Sequence, residues 1–144
     1  YTVLTEGEDA SDPVGEAARS FLDGHFVLSR RLAEAGHFPA IDIEQSISRV
    51  ASAVTGLEHQ AVARAVRGAW ATYQQNRDLI AVGAYMPGSD PEIDRAIEVA
   101  PAIGRFLRQD RAAQCDFEAS LTALAALGIA PDRHAPDLNE EAST

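Results

Sequence analysis

Two hydrophobic rhythms divide this chain. Up to Gly56 the apolar residues come in short bursts: YTVLT at residues 1 to 5, HFVLS after Gly24, and an extended run from Pro39 to Ile43. Short apolar runs bounded by glycine, proline and acidic turns read as strands. Asp12 followed by Pro13 pairs a capping residue with a proline at the first helical position, which predicts a helix to about Leu22. Arg30 to Ala35 suits a short helix ended by Gly36. An irregular link then leads to Ser48.

After Gly56 the period lengthens to that of a helix, and no further strand signal occurs. From Leu57 to Val82 one face carries Val62, Val66, Ala69, Tyr73 and Ile80, with Gln60, Arg64, Arg67, Gln74 and Asp78 opposite. This is an amphipathic helix, stopped by Gly83. The loop AYMPGSD follows. Asp90 and Pro91 start a second helix with Ile93, Ile97, Ala100 and Ile103 inward, and Pro101 is expected to kink it. Asp116 caps a last helix carrying Phe117, Leu121 and Leu124 on one face.

The pattern predicts an α/β part followed by an all-α part. Residues 1–55 read as the end of an α/β domain, residues 56–130 as a helical domain, and 131–144 as a polar, disordered tail. The first part is too short to close its own sheet, so strand edges and apolar faces should be left uncovered. A chain that opens inside a strand, at Tyr1, suggests N-terminal truncation.

Composition narrows the chemistry. The 144 residues carry a net charge of −10, which argues against nucleic acid and anionic membrane as main partners. All 12 basic residues are arginine, so lysine Schiff-base chemistry is absent. So is the phosphate loop GxxxxGK followed by Ser or Thr. No apolar run approaches the roughly 20 residues that span a bilayer. A single cysteine, Cys115, cannot form an internal disulfide and reads as a buried or bystander thiol.

Few residues point to chemistry by themselves. His25, His37, His59 and His134 show no metal-ligand spacing, and no metal site is expected. Asp23, Asp42 and Glu44 could serve as acids or bases, but Asp42 and Glu44 alternate as on a strand and read as structural. Trp70 belongs at the edge of the long helix. Arg49, after Ile47 and Ser48, is a permanent planar cation able to stabilise charge on a phosphate. Taken alone, it reads first as a surface residue. Phe38 precedes Pro39, which holds it so that its ring could act as a stacking plate. Taken alone, it reads first as core.

Together these motifs carry a resemblance. LDGH, LSR, PAID and SISR between Ser20 and Val50 resemble the flagellum-specific ATPase and the ATPases of type III secretion systems. YTVLTEGED before them and YQQNRDLIAVGAYMPGSDPEIDRAIEVAPAIGRFLRQ after them match the same family. The rotary ATP synthase subunits are more distantly similar. The resemblance implies the end of a RecA-like nucleotide-binding domain followed by a C-terminal helical domain. It implies a cytoplasmic homo-hexamer, peripheral at the bacterial inner membrane, that hydrolyses ATP with Mg2+ to drive protein export. Within it, Arg49 would be an arginine finger acting on the neighbouring subunit's site. Phe38 and Pro39 would form the adenine pocket, where Phe38 keeps the ring face of the tyrosine many relatives carry. Met86, Pro87 and Gly88 would meet a central stalk protein, and chaperone–cargo complexes would be further partners. The family's Walker A, Walker B and catalytic glutamate have no counterparts here, so this segment alone is expected to be inactive. The alternative is a short non-enzymatic module that binds export-apparatus partners.

Overall fold

The computed structural model describes residues 13–129. The expected strand at YTVLT, the Asp12 cap and the tail after Pro131 lie outside them.

Among the described residues, six helices and two strands follow in the order α1 (Pro13–Phe21), β1 (Gly24–Leu28), α2 (Arg30–Glu34), β2 (Ile41–Ser48), α3 (Ala51–Val54), α4 (Leu57–Ala81), α5 (Pro91–Phe106) and α6 (Phe117–Ala126). Helix starts follow the capping residues. Ser29 accepts from the Leu32 amide, Asp90 from the amides of Glu92 and Ile93, and Asp116 from that of Ala119. Each relieves a donor that the first helical turn would leave unpaired. Gly36 and Gly83 take left-handed φ of 69° and 70°, where a side chain would be strained, and end α2 and α4.

Among the described residues, β1 and β2 pair antiparallel as a two-stranded sheet. The extended run is longer than expected: β2 continues to Ser48, and the irregular link is a bulge inside it. Between the His25–Ile47 and Val27–Asp42 pairs, β1 contributes only Phe26 while β2 contributes Ile43 to Ser46. Such an insertion leaves backbone groups without ladder partners, and two side chains supply them. Asp42 Oδ1 accepts from the Glu44 and Gln45 amides at 3.0 and 3.2 Å. The Ser46 hydroxyl accepts from the Val27 amide at 3.0 Å and donates to the Asp42 carbonyl. That accounts for the burial of Ser46, at 7% exposure, in a part of the chain with little core.

The core lies among the helices. Val66 of α4, Ile103 of α5 and Ile129 are buried together, with Val62, Ala65, Ala69, Trp70, Val99, Leu107, Leu124 and Leu127 packed around them. Trp70 is therefore part of this core and not merely an edge residue. Its ring lies 3.8 Å from where a Cβ on Gly104 would stand. Tyr73 packs beside it, at 6.0 Å between ring centroids. Phe117 departs from expectation: its ring is largely exposed and leans on His59 at 6.3 Å, while Leu124 supplies the core contact from α6. α5 runs unbroken through Pro101.

Candidate functional site

Both ends of β2 carry a predicted site residue. At its C-terminal end the LDGH and SISR segments meet. Gly24 pairs with Ser48, and the Arg49 amide donates to the Asp23 carbonyl at 2.7 Å. The approach is so close that a Cβ on Gly24 would stand 2.5 Å from the Ile47 carbonyl oxygen. The same contact aims the Arg49 side chain at the end of α1. Nη1 donates to the Ser20 carbonyl at 3.0 Å and Nη2 to the Arg19 carbonyl at 3.4 Å. A cation there meets the negative end of the helix dipole and orphan carbonyls. The side chain is exposed, and two of the five guanidinium N–H groups serve these carbonyls.

Before the N-terminal end of β2, the turn from Gly36 to Ala40 presents Phe38. Its ring is 52% exposed, so the simple core reading fails, and the bond to Pro39 is cis. The backbone on either side is fixed. The His37 amide donates to the Leu32 carbonyl at 2.9 Å, and the Phe38 carbonyl accepts from the Gln109 amide at 2.9 Å. His37 is buried, and Arg108 Nε donates to its Nδ1 at 3.4 Å. Burial foremost, then the adjacent Arg108 charge, lowers the imidazole pKa, against a smaller raising effect of a hydrogen bond to the Leu107 backbone. His37 is thus held neutral as a packing and hydrogen-bonding group. Nothing in its sequence surroundings signalled this, because its partners lie about seventy residues away.

Beside this turn a shallow cleft is lined by Arg31, His37, Asp42, Glu44, Trp70 and Gln74 among others. Burial, and then the neighbouring Asp42, raises the Glu44 pKa, with Arg31 opposing. Asp42 itself is spent on the bulge, with both carboxylate oxygens hydrogen bonded. His25, His37 and His59 join no cluster of ligand side chains among the described residues, and His134 lies outside them. Cys115 is exposed and not buried; its Sγ lies 3.3 Å from the Ser120 hydroxyl.

The third location is the loop between α4 and α5. Met86, Pro87 and Gly88 are all exposed at its tip. Asp94, one turn into α5, anchors it by accepting from the Tyr85 hydroxyl at 2.9 Å and the Gly88 amide at 2.8 Å. Desolvation and the Asp94 carboxylate raise the Tyr85 pKa.

Known proteins resemble this chain over most of its length. The family described as the T3SS EscN ATPase C-terminal domain matches residues 55–126, half of the chain. The chain belongs to the type III secretion ATPase family. Residues 1–48 match the nucleotide-binding domain of the ATP synthase alpha/beta family. The chain is 54% identical over 124 residues to a flagellum-specific ATP synthase of Salmonella typhimurium, covering 86% of this chain and 27% of that protein. It is 51% identical over 110 residues to a type 3 secretion system ATPase of Pseudomonas syringae pv. tomato, covering 76% and 24%. Among solved structures, the assembled ATPase EscN of enteropathogenic E. coli superposes with a TM-score of 0.82 at 42% identity, over 88% of this chain and 31% of that one. EscN in complex with its central stalk EscO superposes at 0.75 with the same identity, over 80% and 28%. The chain spans about a quarter of the length of these curated relatives. The small sheet and helices of this family member are accordingly the end of a nucleotide-binding domain and a C-terminal helical domain.

Proposed function

We propose that this chain is the C-terminal part of a ring-forming ATPase that energises flagellar or type III protein export, divided near residue 55. The family match over residues 55–126 carries this reading. Arg49 serves as an arginine finger toward a neighbouring subunit, and Phe38 with Pro39 forms the wall on which adenine stacks. Their placement supports two separate sites: they flank opposite ends of β2, an eight-residue strand. A subunit in a ring has one face toward its own nucleotide and another toward its neighbour's. An exposed ring suits the first, and a half-committed guanidinium the second.

ATP is the substrate, and Mg2+ would be held by residues outside this chain, which has neither a phosphate loop nor any lysine. The chain alone therefore does not hydrolyse ATP. EscN has been solved assembled and with its stalk EscO. By likeness, a homo-hexamer and a coiled-coil stalk meeting Met86, Pro87 and Gly88 are the expected assembly, at the cytoplasmic face of the bacterial inner membrane. Chaperone–cargo complexes are the expected clients. The uncovered Phe26 and Leu28, on one face of β1, count against a free-standing binding module.

The test is ATP turnover of the intact, assembled protein. Arg49→Ala should lower kcat by about a thousandfold, as for other arginine fingers. Mixing Arg49→Ala subunits with subunits inactivated in the phosphate loop should recover part of the activity, because some interfaces then combine an intact loop with an intact Arg49. Near-normal turnover of the Arg49→Ala ring would dismiss the finger. A low rate with no recovery on mixing would dismiss its action in trans.

A further inference from the structure

The ring of Phe38 is exposed, yet the backbone that carries it is pinned from a segment seventy residues away. Exposed turns ordinarily owe their shape to local hydrogen bonds. Here the Phe38 carbonyl accepts from the Gln109 amide at 2.9 Å, and the His37 ring accepts from Arg108 Nε at 3.4 Å. Leu107, immediately before them, caps α5 and packs on the core beside Trp70. The clamp is therefore seated on the rigid part of the molecule. Beyond it, the Gln109 side chain donates to the Ala113 carbonyl at 2.9 Å, and Asp110 Oδ1 accepts from the Ala112 amide at 2.8 Å. These bonds hold the segment after α5 in a turn of its own. Anchoring of this kind would be redundant if Phe38 were only a surface residue.

We infer that Arg108 and Gln109 are positioning residues for the Phe38 ring, fixing from the end of α5 the turn that presents it to the nucleotide base. This rests on the proposed stacking role of Phe38. A stacking plate contributes most when its orientation is set before the base arrives, since ordering it on binding costs affinity. Losing the clamp leaves the ring present but unaligned. The cost falls on ATP binding and not on the chemical step, which lies at the phosphates.

The experiment is a double-mutant cycle on the intact, assembled ATPase, reading KM for ATP and kcat separately. Phe38→Ala should raise KM about tenfold, the scale of losing one base stack. Arg108→Ala and, independently, Gln109→Pro, which deletes the amide donor, should each raise KM about fivefold, the scale of one lost hydrogen bond, and change kcat less than twofold. In the Phe38→Ala background neither should raise KM further. A purely structural role would lower kcat and the melting temperature in both backgrounds alike. If Phe38→Ala leaves KM unchanged, the stacking reading fails and this inference falls with it. If Phe38→Ala raises KM while the two clamp variants leave it alone, or multiply it equally in both backgrounds, the stacking stands and the positioning role is overturned.

Discussion

Gly24 shows how one residue fixes a site. The chain turns from Asp23 into β1 with Ser48 directly opposite, and the missing side chain is what lets the two backbones approach. A Cβ would stand 2.5 Å from a backbone oxygen, which cannot move aside as a flexible side chain could. Gly24→Ala should therefore destabilise the fold by about 1–3 kcal/mol, the usual cost of overpacking. It should also displace Arg49, whose amide bonds to Asp23 in the same contact. Urea denaturation followed by circular dichroism measures the first effect. An unchanged midpoint would mean that the strands can separate without cost, and that the glycine of LDGH is not there for close approach. Ser46 and Asp42 act at the same scale. The acidic residue of PAID is consumed in closing a bulge, so its place in the motif needs no catalytic role.

Helices were legible in the sequence where an end signal and a period agreed. Asp90 with Pro91 and Asp116 each mark a start, and Val62, Val66 and Ala69 give the inward face of α4. Within β2 the alternation that identifies a strand ends at Ile43, where the bulge breaks it. Spacing alone sets Phe117 on one face with Leu121 and Leu124, but α6 meets the core mainly through Leu124 and the turn through Leu127 to Ile129. The partners of His37 and Phe38 were invisible, since no local pattern points to Arg108 or Gln109. The α4–α5 loop belongs to this intermediate scale too. Asp94 ties it from both sides through Tyr85 and Gly88. Asp94→Ala should leave the Gly88 amide without its acceptor and speed its hydrogen exchange by roughly tenfold. The global melting temperature should move only a few degrees, since one exposed hydrogen bond contributes about 1 kcal/mol. Unchanged exchange at Gly88 would mean that the two left-handed glycines shape the loop unaided.

At the scale of the whole molecule, a strand hairpin and a helical bundle are joined by a narrow seam. α4 and α5 share an extensive interface, whereas the hairpin touches α4 only sparingly through β2, and its 36–40 turn is bonded to Arg108 and Gln109 just beyond α5. His37 is the titratable group buried in that seam, at 5% exposure, with Arg108 against it. Its folded pKa lies below the ordinary 6.5, first because burial disfavours the charged ring and then because Arg108 repels it. The unfolded chain thus binds the proton more readily. The stabilising contribution is complete above about pH 6.5 and is lost progressively as pH falls toward the folded value. Glu44, in the same cleft, has a raised pKa and works the other way, its effect beginning above its ordinary 4.5. Comparison with His37→Gln separates the two, since Glu44 remains in both proteins. The wild-type melting temperature should fall by a few degrees between about pH 7.5 and 5.5, and that of His37→Gln should fall less. Parallel curves would place the pH sensitivity elsewhere and remove His37 from the seam's stability. A steeper fall in the wild type, accompanied by faster exchange at the Gln109 amide, would show that protonation opens the seam where Phe38 is held.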